Sequence, residues 1–482
     1  MTALSSIGPD LSEKPDRRHR LLILSICCMS LLLVSLDNSI VNVALPSIHK
    51  DLKASLSDLQ WTLDAYTLVL ASLLMLSGSI ADRLGRKPVF MVGVVVFTLG
   101  SGLCALAPTL DTLVGARILQ AIGGSMLNPV ALSVVRNVFE DPRERAQALG
   151  IWGSVVGIST SLGPVLGGIL VDGPGWRYVF VVNIPIGILA LILTFLYVPN
   201  SKAPRARRPD PIGQALILIG LATLVFAIIE GARDGFGDPT IIVSFVVAVA
   251  AFAALVPYEL RRREPLIEVR FFRSRPFAGA TVSAVAAFGA LGGFLFLNTL
   301  YLQDARGFSA LHAGLYSLPT ALMMLIFSPI SGRIVANRGG RLPLLTAGVL
   351  ITVGPLIFLG LSVHTATWQL FLAYIVMGIG FGAVNPPISN TAISGMPPAQ
   401  AGVAAAVAST GRQVGFALGV ALAGAVTGLG ATGQIGANFA PATHPGWALL
   451  AGMGFVVFLM ALWSTTQAAE RSAVQTAELL DN

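Results

Sequence analysis

Residues 21–45 read LLILSICCMSLLLVSLDNSIVNVAL. The run holds one charged side chain, Asp37, and a bilayer core needs only about 20 apolar residues per helical crossing. It reads as a membrane span. Arg17, Arg18 and Arg20 in front of it imitate the basic start of a secretory leader. No small-x-small cleavage site follows, however, and the apolar run continues past Asp37, so the sequence predicts a retained first span.

Blocks of the same kind recur along the chain, at 59–80, 89–107, 112–135, 146–171, 178–198, 213–230, 240–259, 277–302, 311–332, 343–363, 367–394, 402–428 and 446–464. The expected fold class is therefore all-α integral membrane, with fourteen transmembrane helices. Composition agrees: 54% of the 482 residues are hydrophobic and 11% charged, against about 25% charged in soluble proteins. The net charge of +7 does not point to nucleic acid, because no aromatic-interleaved basic patch occurs. Instead, 24 of the 31 Lys and Arg fall in alternate short connections, which are expected to be cytoplasmic. That places both termini inside a multi-pass cell (plasma or inner) membrane protein. Cys27, Cys28 and Cys104 lie in apolar blocks without metal-ligand spacing, so neither a disulfide scaffold nor a zinc site is expected.

Two basic connections, 199–212 and 260–275, divide the chain into six, two and six spans. The expected parts are a cytoplasmic tail (1–20), an N-terminal six-helix bundle (21–198), a linker with two additional helices (199–275), a C-terminal six-helix bundle (276–464) and a second cytoplasmic tail (465–482). The two large blocks echo each other: GSIADRLGR at 78–86 follows the second span of one, and GRIVANRGGR at 332–341 follows the second span of the other. Repeated six-span halves mark transporters that rock about a central site.

Four motifs then carry a family resemblance over almost the whole chain. Leu36–Pro46 reads LDNSIVNVALP, Gly78–Lys87 reads GSIADRLGRK, and Arg117–Gly123 reads RILQAIG. Span 5 carries Gly153, Gly157, Gly163-Pro164 and Gly167-Gly168 in the pattern G-x-x-x-G-x(5)-G-P-x-x-G-G, and Trp176-Arg177 with Asn183–Gly187 adds to it. Together they resemble the fourteen-helix drug:proton antiporter branch of the major facilitator superfamily. Ser39 stands where the branch has Thr, and Ala121 where it has Gly. The span 5 motif implies export rather than uptake.

A carboxylate at mid-membrane costs about 2.5–3.5 kcal/mol even on the lenient insertion scale, so Asp37 needs a partner. Arg117 is the only strong base at membrane depth in the first six spans. Since guanidinium does not readily lose its proton, such a pair switches through its carboxyl. Two readings stand side by side: a proton-coupling pair, or a static ion pair that fixes helix register. Arg117 would alternatively meet an anionic substrate; the resemblance implies the proton relay, with Gln120, three residues on and on the same helical face, as its hydrogen-bonding partner.

Gly78, Asp82, Arg83, Gly85 and Arg86 form the expected conformational latch, set against a plain solvated turn worth little energy. Gly153, Gly157, Gly163, Pro164, Gly167 and Gly168 form the expected hinge, where small residues let backbones approach and proline bends a helix. The candidate substrate cavity takes in Asn38, Asn42, Trp61, Asp64, Tyr66, Asn298, Tyr301, Asn385 and Arg412. For Asp64 a water-facing position at the outer end of its helix is an equal reading. Glu230 belongs to the added pair of spans and is not expected to couple protons, and Asp304 is expected outside the membrane. Span 10 has no carboxylate, which argues against dicationic substrates.

No phosphate-binding loop G-x-x-x-x-G-K-[ST] occurs, and neither H-E-x-x-H nor G-x-S-x-G lies on a suitable element. The chain is not expected to be an enzyme, and it calls for no cofactor beyond a proton gradient, where one charge through 100 mV supplies about 2.3 kcal/mol. The partners expected are the lipid bilayer, protons and small amphipathic molecules, with a monomer as the working unit. The expectation is proton-coupled export of amphipathic drugs, antibiotics or dyes. Export of one dedicated metabolite is the second reading, and a channel or sensor the third.

Overall fold

The computed structural model describes residues 16–139, 141–202, 209–262, 264–394, 396, 400–428 and 439–481. Helix α1 runs Arg17–Leu52, longer at both ends than its apolar block, with Asp16 accepting from the Arg17 amide and Lys53 ending it in the left-handed region. α2 (Leu56–Leu84) and α4 (Leu110–Val138) each open on a capping box, Ser55/Asp58 and Thr109/Thr112, which satisfies amides that helix starts leave orphaned. Between them α3 spans Arg86–Leu106. α5 covers Pro142–Asp172, and α6 covers Tyr178–Tyr197 with a break at Val182. The added pair is α7 (Pro211–Asp234) and α8 (Pro239–Arg261), both started by proline after an aspartate cap.

α9 (Arg275–Leu300) continues into a π-helical turn at Tyr301–Ala305. α10 (Ala310–Arg338), α11 (Arg341–Ile357), α12 (Thr367–Ile393), α13 (Ala401–Ala425) and α14 (His444–Ser464) complete the bundle. The stretch expected as a tail carries a further helix, α15, at Gln467–Asp481. Among the described residues 13 helices are long and apolar enough to cross a membrane. α5 is not one of them, because its described apolar part is only Gly157–Asp172. The basic and connecting residues 203–208, Arg263 and most of the Gly/Ala-rich 429–445 stretch lie outside the described residues.

Contacts between helices repeat themselves. In the first half α1 packs on α5, α2 on α4, α3 on α4 and α3 on α6; in the second, α9 packs on α13, α10 on α12, α11 on α12 and α11 on α14. Between the halves α5 lies against α10, and its symmetry counterpart α13 lies against α2. The same two-fold relation that the paired loop sequences hint at is thus built into the helix neighbours. α7 pairs with α8 and rests on both α2 and α13, with Leu68, Ile217, Leu221, Val225 and Ala417 sharing one apolar cluster.

The halves are fastened at the end that carries the α1–α2 turn. There Lys50 meets Asp304 at 3.8 Å, and Gln303 donates to the Val43 carbonyl at 2.9 Å. Asp172 of α5 accepts from the first amides of α10, Ala310 at 3.0 Å and Leu311 at 2.8 Å, where a carboxylate also complements the helix dipole. Gln60 donates to the Val420 and Ala421 carbonyls, each at 2.9 Å. Asp304, expected outside the membrane, lies in the π turn with its side chain 6% exposed. Towards the opposite end a cavity of about 540 Å³ separates α1 from α5, walled by Leu24, Cys28, Leu32, Ile151, Val155 and Ile158.

Candidate functional site: a caged ion pair and the surfaces around it

Asp37 on α1 and Arg117 on α4 are both wholly enclosed. Arg117 Nη1 donates to Asp37 Oδ2 at 2.5 Å and to Gln120 Oε1 at 2.8 Å. Gln120 Nε2 closes the triangle by donating to Asp37 Oδ1 at 2.8 Å, and Asn183 Nδ2 donates to the same oxygen at 3.1 Å. Three side chains therefore donate to one carboxylate. Ser101 of α3 braces two of them, accepting from Gln120 at 3.3 Å and Asn183 at 3.1 Å, while its own hydroxyl donates to the Phe180 carbonyl at 2.9 Å. Arg117 is fixed from its other side by the Thr62 carbonyl, 3.1 Å from Nε, and by the Tyr66 ring, whose centroid lies 4.1 Å from Cζ. Tyr66 is thus fully enclosed as one wall of this cage.

The cage suits an ionised acid, which only accepts hydrogen bonds; a protonated one carries an O–H donor. Protonating Asp37 would leave Arg117 as a buried cation without a counter-ion, a state that costs about 3–5 kcal/mol when a buried pair is broken. With Asp37 completely covered, no proton reaches it from either face without a rearrangement.

The glycines of α5 meet two neighbours. A Cβ at Gly167 would sit 3.0 Å from Ile40 of α1, and one at Gly163 would collide with Ser39. On the other flank, a Cβ at Gly168 would lie 2.7 Å from the Leu311 amide of α10, and one at Gly157 would lie 3.5 Å from Leu325. Pro164 presents its backbone to Gly314 of α10, and Ser161 donates to the Ala321 carbonyl at 3.1 Å. The surroundings of Gly153 lie outside the described residues.

In the α2–α3 loop Asp82 pairs with Arg86 at 3.2 Å. The Arg86 amide donates to the Ser201 carbonyl at 2.9 Å, and Lys87 donates to the Phe195 carbonyl at 2.8 Å. Gly85 takes φ +115°, and a Cβ there would lie 2.7 Å from the Asn200 side chain, so the turn needs glycine twice over. Gly78 faces Pro129 of α4. The loop is thus tied to the end of α6 in its own half; Arg83 also takes part in a contact.

The remaining candidates scatter. Asp64 is fully enclosed, not water-facing, and neither oxygen has a hydrogen-bond partner among the described residues. Trp61 donates to Glu230 of α7 at 2.7 Å. Asn42 donates to the Asn38 carbonyl at 2.8 Å and shares a narrow void at the α1–α9 seam with Ser39, Asn298, Gln303 and Ser317. Asn298 accepts from Tyr374 at 2.6 Å, and Tyr301 donates to the Ser362 carbonyl at 2.8 Å, which turns Tyr301 into its own bundle. Asn385 Oδ1 and Arg412 Nη1 are buried without a partner among the described residues. Sequence reasoning missed Asn183 and Ser101 as cage members. In the sequence Asn183 enters only as part of the stretch Asn183–Gly187 that adds to the family resemblance, and for Ser101 the available signal is polarity alone, a Ser inside apolar α3.

A sequence model described as Major Facilitator Superfamily matches residues 27–420, a stretch that contains the cage, the loop and the α5 glycines. The chain belongs to the major facilitator superfamily. It is a transporter, not an enzyme. Among this superfamily's members it is 36% identical over 409 residues to multidrug resistance protein Stp of Mycobacterium tuberculosis, covering 85% of this chain and 76% of that one. It is 34% identical to the methylenomycin A resistance protein of Streptomyces coelicolor, covering 92% of both. With multidrug efflux pump LfrA of Mycolicibacterium smegmatis it shares 32% identity, over 87% and 82% of the two chains. The fold resembles that of peptide transporter POT in complex with sulfate, with a TM-score of 0.69 at 13% identity over 93% and 95% of the chains.

Proposed function

We propose that this transporter is a proton-coupled antiporter of fourteen spans, arranged six, two and six with both termini cytoplasmic, that exports amphipathic antibiotics, drugs or dyes by alternating access. The observation that carries the reading is the Asp37 carboxylate, enclosed and held by Arg117, Gln120 and Asn183. In the outward-facing form Asp37 takes a proton, loosens from Arg117, and lets the halves turn about the α5–α10 and α2–α13 contacts. Inside, the proton leaves and the pair re-forms. The names of the relatives support the substrate class, and the glycine surface of α5 supplies a smooth bearing on which such a turn runs. The α2–α3 loop, anchored to residues 195–201, acts as the cytoplasmic latch.

Reconstituted vesicles test this. An inwardly directed proton gradient should drive ethidium out against its own gradient, and in separate vesicles with an acidified lumen, substrate added outside should release lumenal protons. The Asp37→Asn protein, inserted in equal amount, should bind ethidium but not concentrate it. Full pumping by that variant overturns the proposal. A second reading, export of a single dedicated antibiotic, draws on relatives named for one compound, such as the tetracenomycin C resistance and export protein of Streptomyces glaucescens. A panel of chemically unlike compounds decides between the two: several moved at similar rates favours the broad pump, and one alone favours the dedicated exporter.

A further inference from the structure

Arg412 lies within α13, and it is the only Lys or Arg between Arg341 and Arg471. Its Nη1 is buried with no hydrogen-bond partner among the described residues, yet the residue as a whole is half-buried rather than sealed. Its neighbours explain none of its charge. Cζ stands 5.9 Å from the Phe288 ring of α9. One turn earlier, Ala408 packs with Ala280 of α9 and Ala392 of α12. Gly411 runs against Thr281 and Val285 of α9. The guanidinium therefore projects from a wall of small and aromatic groups contributed by α9, α12 and α13.

No acid in the same bundle balances it. From residue 275 to residue 464 the chain contains a single carboxylate, Asp304, and that one sits in the π turn at the fastened end with Lys50. In the first bundle Asp37 is already matched by Arg117. Asp64 is enclosed completely, so no ligand reaches it in this arrangement. Among the described residues this cation has the Phe288 ring beside it but no counter-ion, and a charge at membrane depth is functional by default. Guanidinium presents a planar fork of donors matched to carboxylate, and aromatic and methyl-rich surroundings suit an apolar body beside the acid.

Resting on the exporter reading, we propose that Arg412 is an anion-recognition residue: the range of transported compounds includes ones that carry a carboxylate, or an equivalent ionised phenol or enol, on an apolar skeleton, and Arg412 takes that group. The acid docks on Arg412 in the second bundle while the proton is handled by Asp37 in the first. Substrate and proton then occupy different halves, and neither displaces the other from its site.

The test uses full-length protein in vesicles with three probes: 1-pyrenebutyrate, its uncharged methyl ester, and ethidium. Wild type should export pyrenebutyrate, and Arg412→Gln should lower that export at least tenfold while leaving ester and ethidium within about twofold. Arg412→Lys, which keeps the charge but not the fork, should fall between. Binding of pyrenebutyrate in detergent, read by its fluorescence, should weaken in parallel. Export of ethidium but not pyrenebutyrate by wild type overturns the inference and leaves the exporter reading standing. An equal loss for every probe in both Arg412 variants, reproduced by Asp64→Asn, also overturns it and assigns Arg412 to a charge pair with Asp64 in the opposite facing. Failure of wild type to move any probe overturns the exporter reading and this inference with it.

Discussion

The two six-helix bundles share a plan of helix neighbours but not a distribution of charge. In the first, a carboxylate and a guanidinium meet at 2.5 Å inside a ring of amides and a hydroxyl. In the second, the α13 guanidinium has no ion-pair partner among the described residues, and the single carboxylate lies at the fastened end. The loops diverge in the same direction. Asp82 pairs with Arg86 after α2, whereas Asn337 holds the matching place after α10 and leaves Arg341 without that acid. The two bundles thus share their helix plan while the buried acid–base pair belongs to one of them alone among the described residues.

The largest effect should come from Arg117→Gln. Stranding Asp37 without its cation is expected to lower stability by about 3–5 kcal/mol and to end pumping. Combining it with Asp37→Asn should recover much of the stability, measured by thermal unfolding in detergent, yet none of the transport. Recovery of both would make the pair a static strut and erase the contrast between bundles.

Gly168→Val drives a branched side chain into the start of α10, where even a Cβ lies 2.7 Å from the Leu311 amide. A cost of about 1–3 kcal/mol from overpacking, with slower transport and unchanged substrate affinity, would mark α5 as the moving surface. Lost affinity at normal rate would place the glycine in the substrate path instead. Asn183→Ala removes one of the two donors to Asp37 Oδ1 and should cost about 1 kcal/mol, with partial pumping retained. The smallest change is expected for Asn337→Asp, which gives Arg341 the i+4 acid that Arg86 already has. It should add no more than about 0.5 kcal/mol, and any strong effect on turnover would show that the asymmetry of the loops matters to the cycle.

What was legible in the sequence follows from cost. Asp37 and Arg117 stand out because charge in an apolar run must be compensated, and Gln120 follows from helical spacing. Ser101 and Asn183 were not legible as partners, since an uncharged polar residue in a span is cheap enough to occur without a role. Their positions emerge only when α3 and the break in α6 close on α1. The glycines of α5 could be read as a close-approach surface, but not that one flank meets α1 and the other α10. For Asp64 the water-facing reading, one of two held equal, fails, because the packed helices enclose it completely.

The added hairpin carries a mechanical consequence. Trp61 reaches Glu230 near one end of α7, Gln214 donates to the Ser72 carbonyl near the other, and against α13 the same helix offers aliphatic side chains to Ala417 and Ala421. A rod bolted at two points to one wall and only greased along the other travels with the first wall. Should the seam part, α7 is expected to travel with α2 and slide along α13, a draught strip on a door, because only apolar contact ties it to the second wall.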